Sequence, residues 1–149
     1  MSLSPFNDDY FMKKAYDEAC QAFEEGEVPV GVVVVCNDQI IGKGHNQVEK
    51  MNDVTAHAEI IALTAASNYL GSKYLDDCRM YITLEPCVMC ASAISFAHIP
   101  YIICGTKDPK KGFSLYSPKI FPAKTKIRFG VMQEHCNELL IKFFKTKRS

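Results

Sequence analysis

The chain has 149 residues, 48% hydrophobic and 23% charged, which excludes a disordered or low-complexity polymer and allows one core built without staples. The formal net charge of zero conceals an asymmetry: residues 1–100 hold 6 Lys/Arg against 14 Asp/Glu, and residues 101–149 hold 11 against 3. Such a split marks either a polyanion-binding face or a solvated helix and loop that balance the acidic half.

Asp8 to Glu25 reads as a helix, with Phe11, Met12, Ala15, Ala19, Ala22 and Phe23 in one apolar stripe and Gly26 as its stop. Val28 to Cys36 is a β-branched run, Asn37-Asp38-Gln39 turns the chain, and Ile40 to His45 returns. This is a hairpin with Pro29 near its start, where a missing N–H does least harm. The run is too short to span a bilayer, so no membrane segment is expected. After the polar words Asn52-Asp53-Val54-Thr55, Ala56 to Tyr69 reads as a buried helix closed by Gly71. Arg79 to Leu84 is a strand, and Pro86 sits in the first turn of a small-residue helix over Cys87 to Ala97. Pro100 to Cys104 and Lys126 to Val131 are further strands. Gln133 to Lys145 is an amphipathic helix with Leu139, Leu140, Phe143 and Phe144 inward. No repeat or linker interrupts residues 1–149, which read as a single α/β domain of three layers, a sheet covered by helices on both faces.

Seven cysteines is an odd count, and Met1 to Asp9 lacks a secretion signal, so a disulfide framework is not expected and a reducing, cytoplasmic location fits. Cys20, Cys36, Cys78, Cys104 and Cys136 read as small buried hydrophobes. Cys87 and Cys90 differ. Their i, i+3 spacing at a helix start places both sulfurs on one side of the first turn, where the helix dipole favours thiolates. His57-Ala58-Glu59 stands upstream, separated from Pro86 by 26 residues. His57, Cys87 and Cys90 make three zinc ligands, one fewer than a closed structural site requires, and Glu59 is the type of group that moves protons beside an open position. A redox Cys-x-x-Cys would not need the His57-Ala58-Glu59 word. A structural site would need a fourth ligand, with His45, His98 and His135 as the candidates.

The His-x-Glu…Pro-Cys-x-x-Cys pattern resembles the cytidine-deaminase-like zinc deaminases. The flanking words Gly26-Glu27-Val28-Pro29-Val30-Gly31, Asn46, Asn52 to Ile60, Thr83 to Ala91, and Gly105 with Asp108 and Lys110 narrow the resemblance to bacterial tRNA adenosine deaminases along nearly the whole chain. The resemblance implies a three-layer α-β-α fold with a central five-stranded mixed sheet and one Zn2+ per chain on His57, Cys87 and Cys90. It makes Glu59 the catalytic proton shuttle, and Asn46 and the Ala58 backbone N–H the substrate-binding groups. It further implies a homodimer that turns adenosine into inosine at the wobble position of a tRNA anticodon stem-loop. The chain departs from the family over Ile120 to Ile127, where an Asn-His pair is usual, and in the loop Lys110 to Pro122. Lys107, Lys110, Lys111, Lys124, Lys126, Lys145, Lys147 and Arg148 are candidates for compensating phosphate contacts. Two other readings stand beside this one: deamination of a free base such as guanine or cytosine, and a non-catalytic zinc-stabilised RNA-binding module.

Overall fold

The computed structural model describes residues 6–148. Asn7 caps helix α1 (Asp8–Glu24) by accepting from the Tyr10 N–H at 2.9 Å, and Gly26 at φ +77° turns the chain beyond it. Strand β1 (Gly31–Cys36) begins later than the β-branched run does. Val30 N–H donates to Val28 C=O at 2.8 Å, so the chain makes a tight turn around Pro29 before it enters the sheet. Strand β2 (Gln39–His45) pairs antiparallel with β1, whose other side takes β3 (Cys78–Leu84), also antiparallel. Strands β4 (Tyr101–Thr106) and β5 (Lys126–Phe129) then add in parallel, giving a mixed five-stranded sheet in the order β2-β1-β3-β4-β5.

Helices cover both faces. Helices α3 (Ala58–Leu70) and α4 (Val88–Phe96) pack over Val32 and Val34 of β1, whereas α1 packs over Val33 and Val35. All four valines are buried, each worth about 1.5–3 kcal/mol relative to exposure. A strand buried on both faces has no polar side, which is why it reads as an unbroken apolar run. Helix α6 (Gln133–Arg148) lies on the α1 side, with Phe143 edge-on to Phe23. It buries Cys136 and Phe143, seven residues apart, and leaves Phe144 46% exposed, correcting the wider inward face expected of it. The short helices α2 (Val48–Met51) and α5 (Phe113–Tyr116) were not anticipated. Four residues are too few to carry a period. Cys78, Cys104 and Cys136 are buried as expected, but Cys20 and Cys36 are only partly so. Among the described residues no helix is long and apolar enough to cross a membrane.

The approach of α3 to β2 fixes where the next features fall. A Cβ on Gly42 would stand 2.6 Å from the Ala62 carbonyl oxygen, and one on Gly44 would collide with the Ala58 carbonyl oxygen. Opposite these glycines α3 presents Ala58, Ala62 and Ala66, all fully buried. Helix and strand therefore touch backbone to backbone. We predict that Gly44→Ala costs about 1–3 kcal/mol of stability by forcing the α3 start off the sheet. Zinc affinity should fall with it, since His57 immediately precedes Ala58. Denaturant unfolding and zinc titration check this; a variant matching wild type in both would remove the packing constraint.

Candidate metal centre

Strands β3 and β4 run in one direction, and the chain leaves their carboxyl ends beside the end of β2. Open α/β sheets offer ligand crevices at such ends. Each candidate ligand sits at or next to a helix start there. His57 is the N-cap of α3, with extended backbone (φ −75°, ψ 151°), and Cys87 is the N-cap of α4 (φ −71°, ψ 173°). Neither side chain caps its own helix, so both are free to converge. Pro86 thus lies one residue before the cap, not in the first turn as expected. The chain enters α3 at Ala58, two residues later than expected, because His57 itself takes the cap conformation.

His57 Nδ1 lies 3.4 Å from Cys90 Sγ and 3.7 Å from Cys87 Sγ, and one donor atom from each of the three residues falls within 4.8 Å of the others. Tetrahedral zinc, with Zn–S of about 2.3 Å and Zn–N of about 2.0–2.1 Å, sets its N and S ligands about 3.6 Å apart. The donor set fits a zinc ion in both chemistry and spacing. No other group of three such residues is assembled among the described residues. His45 is held between Glu18 at 3.3 Å and Glu25 at 3.0 Å, His98 stacks on Tyr74, and His135 meets the edge of Tyr16. None of the three histidines completes a four-ligand cage.

The electrostatics suit a cation. The Cys90 thiol donates to Cys87 and, with help from His57, holds the Cys87 thiol down to about 4. The same bond pushes Cys90 far upward, and burial adds to it. Two helix N-termini point their partial positive ends at this spot, which favours thiolates. Glu59, in the first turn of α3, is 4% exposed, and burial raises its carboxyl to about 7, against the pull of its own backbone N–H.

The remaining expected residues gather here too. Asn46 follows β2 and is 9% exposed; its Oδ1 is sealed from solvent and meets no hydrogen-bond donor in the protein. An orphaned buried acceptor asks for a partner from outside. Ala58 opens α3, where first-turn N–H groups have no intrahelical acceptor. The lysines divide. Lys107, Lys110 and Lys111 follow β4 at the end of the sheet that carries the site, and the charge of Lys111 bears on His57. Lys126 pairs in register with Tyr101 at the opposite end of the sheet, which corrects its grouping with the others.

Sequence reasoning gave no role to two buried glutamates that frame the site. Glu27 accepts from the N–H groups of Glu49 at 3.1 Å and Lys50 at 2.8 Å, tying α2 beside Asn46. Glu85 gathers the loop after β4. The available signal was a carboxylate embedded in each apolar motif word.

The model of the cytidine and deoxycytidylate deaminase zinc-binding region matches residues 5–106. A tRNA-specific adenosine deaminase of Aquifex aeolicus (strain VF5) is 41% identical over 146 residues, covering 95% of this chain and 96% of the relative. A solved structure from a study of A-to-I editing by tRNA:A34 deaminases at the wobble position of transfer RNA superposes with a TM-score of 0.82 at 38% identity. It covers 88% of this chain and 99% of that one. A guanine deaminase structure from Bacillus subtilis matches less of both, at TM-score 0.65 and 39% identity over 68% of this chain and 65% of that one. The fold is the three-layer α-β-α arrangement of these deaminases, and the chain belongs to the cytidine and deoxycytidylate deaminase zinc-binding family, within the group of tRNA-specific adenosine deaminases.

Proposed function

We propose that this protein hydrolyses adenosine to inosine at the wobble position of a tRNA anticodon, with His57, Cys87 and Cys90 holding the zinc and Glu59 moving the protons. The observation that carries the chemistry is Glu59 itself, a carboxyl buried beside three converged soft ligands and raised to about 7. The full-length similarity to tRNA-specific adenosine deaminases supports the substrate.

Zinc bound there would bring the pKa of a water toward neutrality. Glu59 takes a proton from the attacking water and delivers it to N1 of adenine as the water oxygen adds to C6. A second proton passes through Glu59 to the exocyclic nitrogen, which leaves as ammonia while the C6 carbonyl of inosine forms. A carboxyl poised near the working pH suits both transfers. Asn46 orients the base by meeting its edge with the otherwise unpartnered amide oxygen, and the Ala58 N–H serves the opposite edge. An adenosine must leave its stack to reach this depth, so an unpaired anticodon loop is a cheaper substrate than a duplex. The seven free cysteines suit action in the reducing cytoplasm.

The same reading includes a homodimer. The outward side of α4 exposes Met89 at 36% in its first turn and Phe96 at 76% at its last, and α3 exposes Tyr69 at 64% near its end, apolar groups on the two helices whose starts carry the site. In sedimentation, wild type should run as a dimer and Phe96→Lys should shift toward monomer; a monomeric wild type would discard the assembly.

The chemistry is tested with zinc-loaded protein and an anticodon stem-loop carrying adenosine at the wobble position, with guanine and cytosine in parallel. Inosine should form at that one position, with turnover falling as salt rises. Glu59→Gln should lose roughly 10²–10⁴ in rate while retaining zinc. Ammonia from a free base alone would reassign the substrate, and a near wild-type rate in Glu59→Gln would remove the proton shuttle.

A further inference from the structure

Glu85 is a buried carboxylate for which the reaction has no use. It follows β3, is 2% exposed, and takes its side-chain donors from one loop. Asp108 N–H donates to Oε1 at 3.1 Å, while Ser114 gives Oε2 its N–H at 3.0 Å and its hydroxyl at 2.6 Å. The loop passes so close that a Cβ on Gly112 would collide with the carboxylate. Phe113 N–H adds a bond to the Pro86 carbonyl at 2.9 Å. Inside the loop, Asp108 Oδ1 accepts from the N–H groups of Lys110 at 2.9 Å and Lys111 at 3.0 Å, and the Tyr116 hydroxyl donates to the Lys110 carbonyl at 2.9 Å. The segment is wrapped around one fixed carboxyl group. Free of it, a stretch with Pro109 and Gly112 would sample many conformations.

The outer surface of the same loop is solvent-facing. Lys110 and Lys111 are exposed, Leu115 is 55% exposed and Tyr116 66%. Ammonium groups beside an exposed aromatic ring are the means by which proteins grip a single strand, through phosphate contact and base stacking.

We propose that Glu85 is a positioning residue for the RNA substrate: its carboxylate holds loop 108–114 in the conformation that presents Lys111 and Tyr116 to the nucleotides flanking the target adenosine. The proposal rests on the reading of this site as one that acts on a tRNA anticodon loop. Glu85 works through the loop and touches no reacting atom, so its loss belongs in substrate binding and not in the chemical step.

Glu85→Gln keeps the size of the side chain but turns an amide NH₂ toward donors. Gly112→Ala disturbs the same contact from the loop side and leaves Glu85-Pro86-Cys87 intact, so it decides the matter if Glu85→Gln fails to fold. Amide hydrogen exchange over 108–116 should quicken about tenfold or more in both variants. The stem-loop concentration for half-maximal single-turnover deamination should rise about tenfold or more. The rate at saturating RNA should stay within about threefold of wild type, with one zinc retained. Unchanged exchange, or a reduced saturating rate with unchanged half-saturation, would overturn the proposal. Wild-type protein that deaminates guanine and not the stem-loop would defeat the substrate reading and the RNA role together. Hydrogen exchange needs no substrate and would still report whether Glu85 anchors the loop.

Discussion

The contact between α3 and β2 governs the rest of the molecule. Gly42 and Gly44 remove the side chains that would separate them, and the alanines of α3 close the gap from the other side. With helix backbone resting on strand backbone, the start of α3 has one available position. That position sets the His57 ring, the Ala58 N–H and the Glu59 carboxyl in one step, because the three are consecutive. The strand that receives the helix ends at His45, immediately before Asn46. A single packing contact therefore aligns four groups of the proposed machinery, and β3 brings the two cysteines to meet them.

Electrostatics completes what packing begins. Burying Glu59 works against its ionised form, and its own backbone N–H, with His57 and Cys90 beside it, works for it. The balance falls near neutrality, which suits the proton transfers proposed for it. The cysteines take the opposite course: Cys87 is held far toward thiolate while Cys90 keeps the proton between them. Metal binding releases such protons, since the ligand form is the thiolate. Glu27 and Glu85 differ again: each is buried and satisfied, Glu27 by backbone donors of α2 and Glu85 by backbone donors and the Ser114 hydroxyl of one loop, and each fastens a segment at the rim.

Legibility from sequence followed the range of each interaction. The helices α1, α3 and α4, the hairpin and the succession of strands along the chain were readable because period, capping and turn chemistry act over neighbouring residues. The ligand set was readable because His-x-Glu and Cys-x-x-Cys carry their geometry in their spacing. Strand β1 was read three residues too long, since the turn around Pro29 is made by a backbone bond that leaves no compositional trace. The inward face of α6 was read too wide because the pattern cannot say how much sheet lies beneath a helix. The clamps of Glu27 and Glu85 were invisible: all but one of their donors, the Ser114 hydroxyl, are backbone N–H groups, they lie 22 to 29 residues away, and nearly every residue offers one. Likewise the separation of Lys126 from Lys107 and Lys111 depends on strand register, which basic composition does not encode.

The central claim is that three side chains, and only three, hold the zinc, leaving one position for water. X-ray absorption at the zinc edge of the zinc-loaded protein addresses it directly. Two sulfurs at about 2.3 Å, a single imidazole nitrogen and one light non-protein ligand at about 2.0–2.1 Å are expected. A second imidazole or a third sulfur would mean a closed structural site, and the hydrolytic mechanism would fall with it.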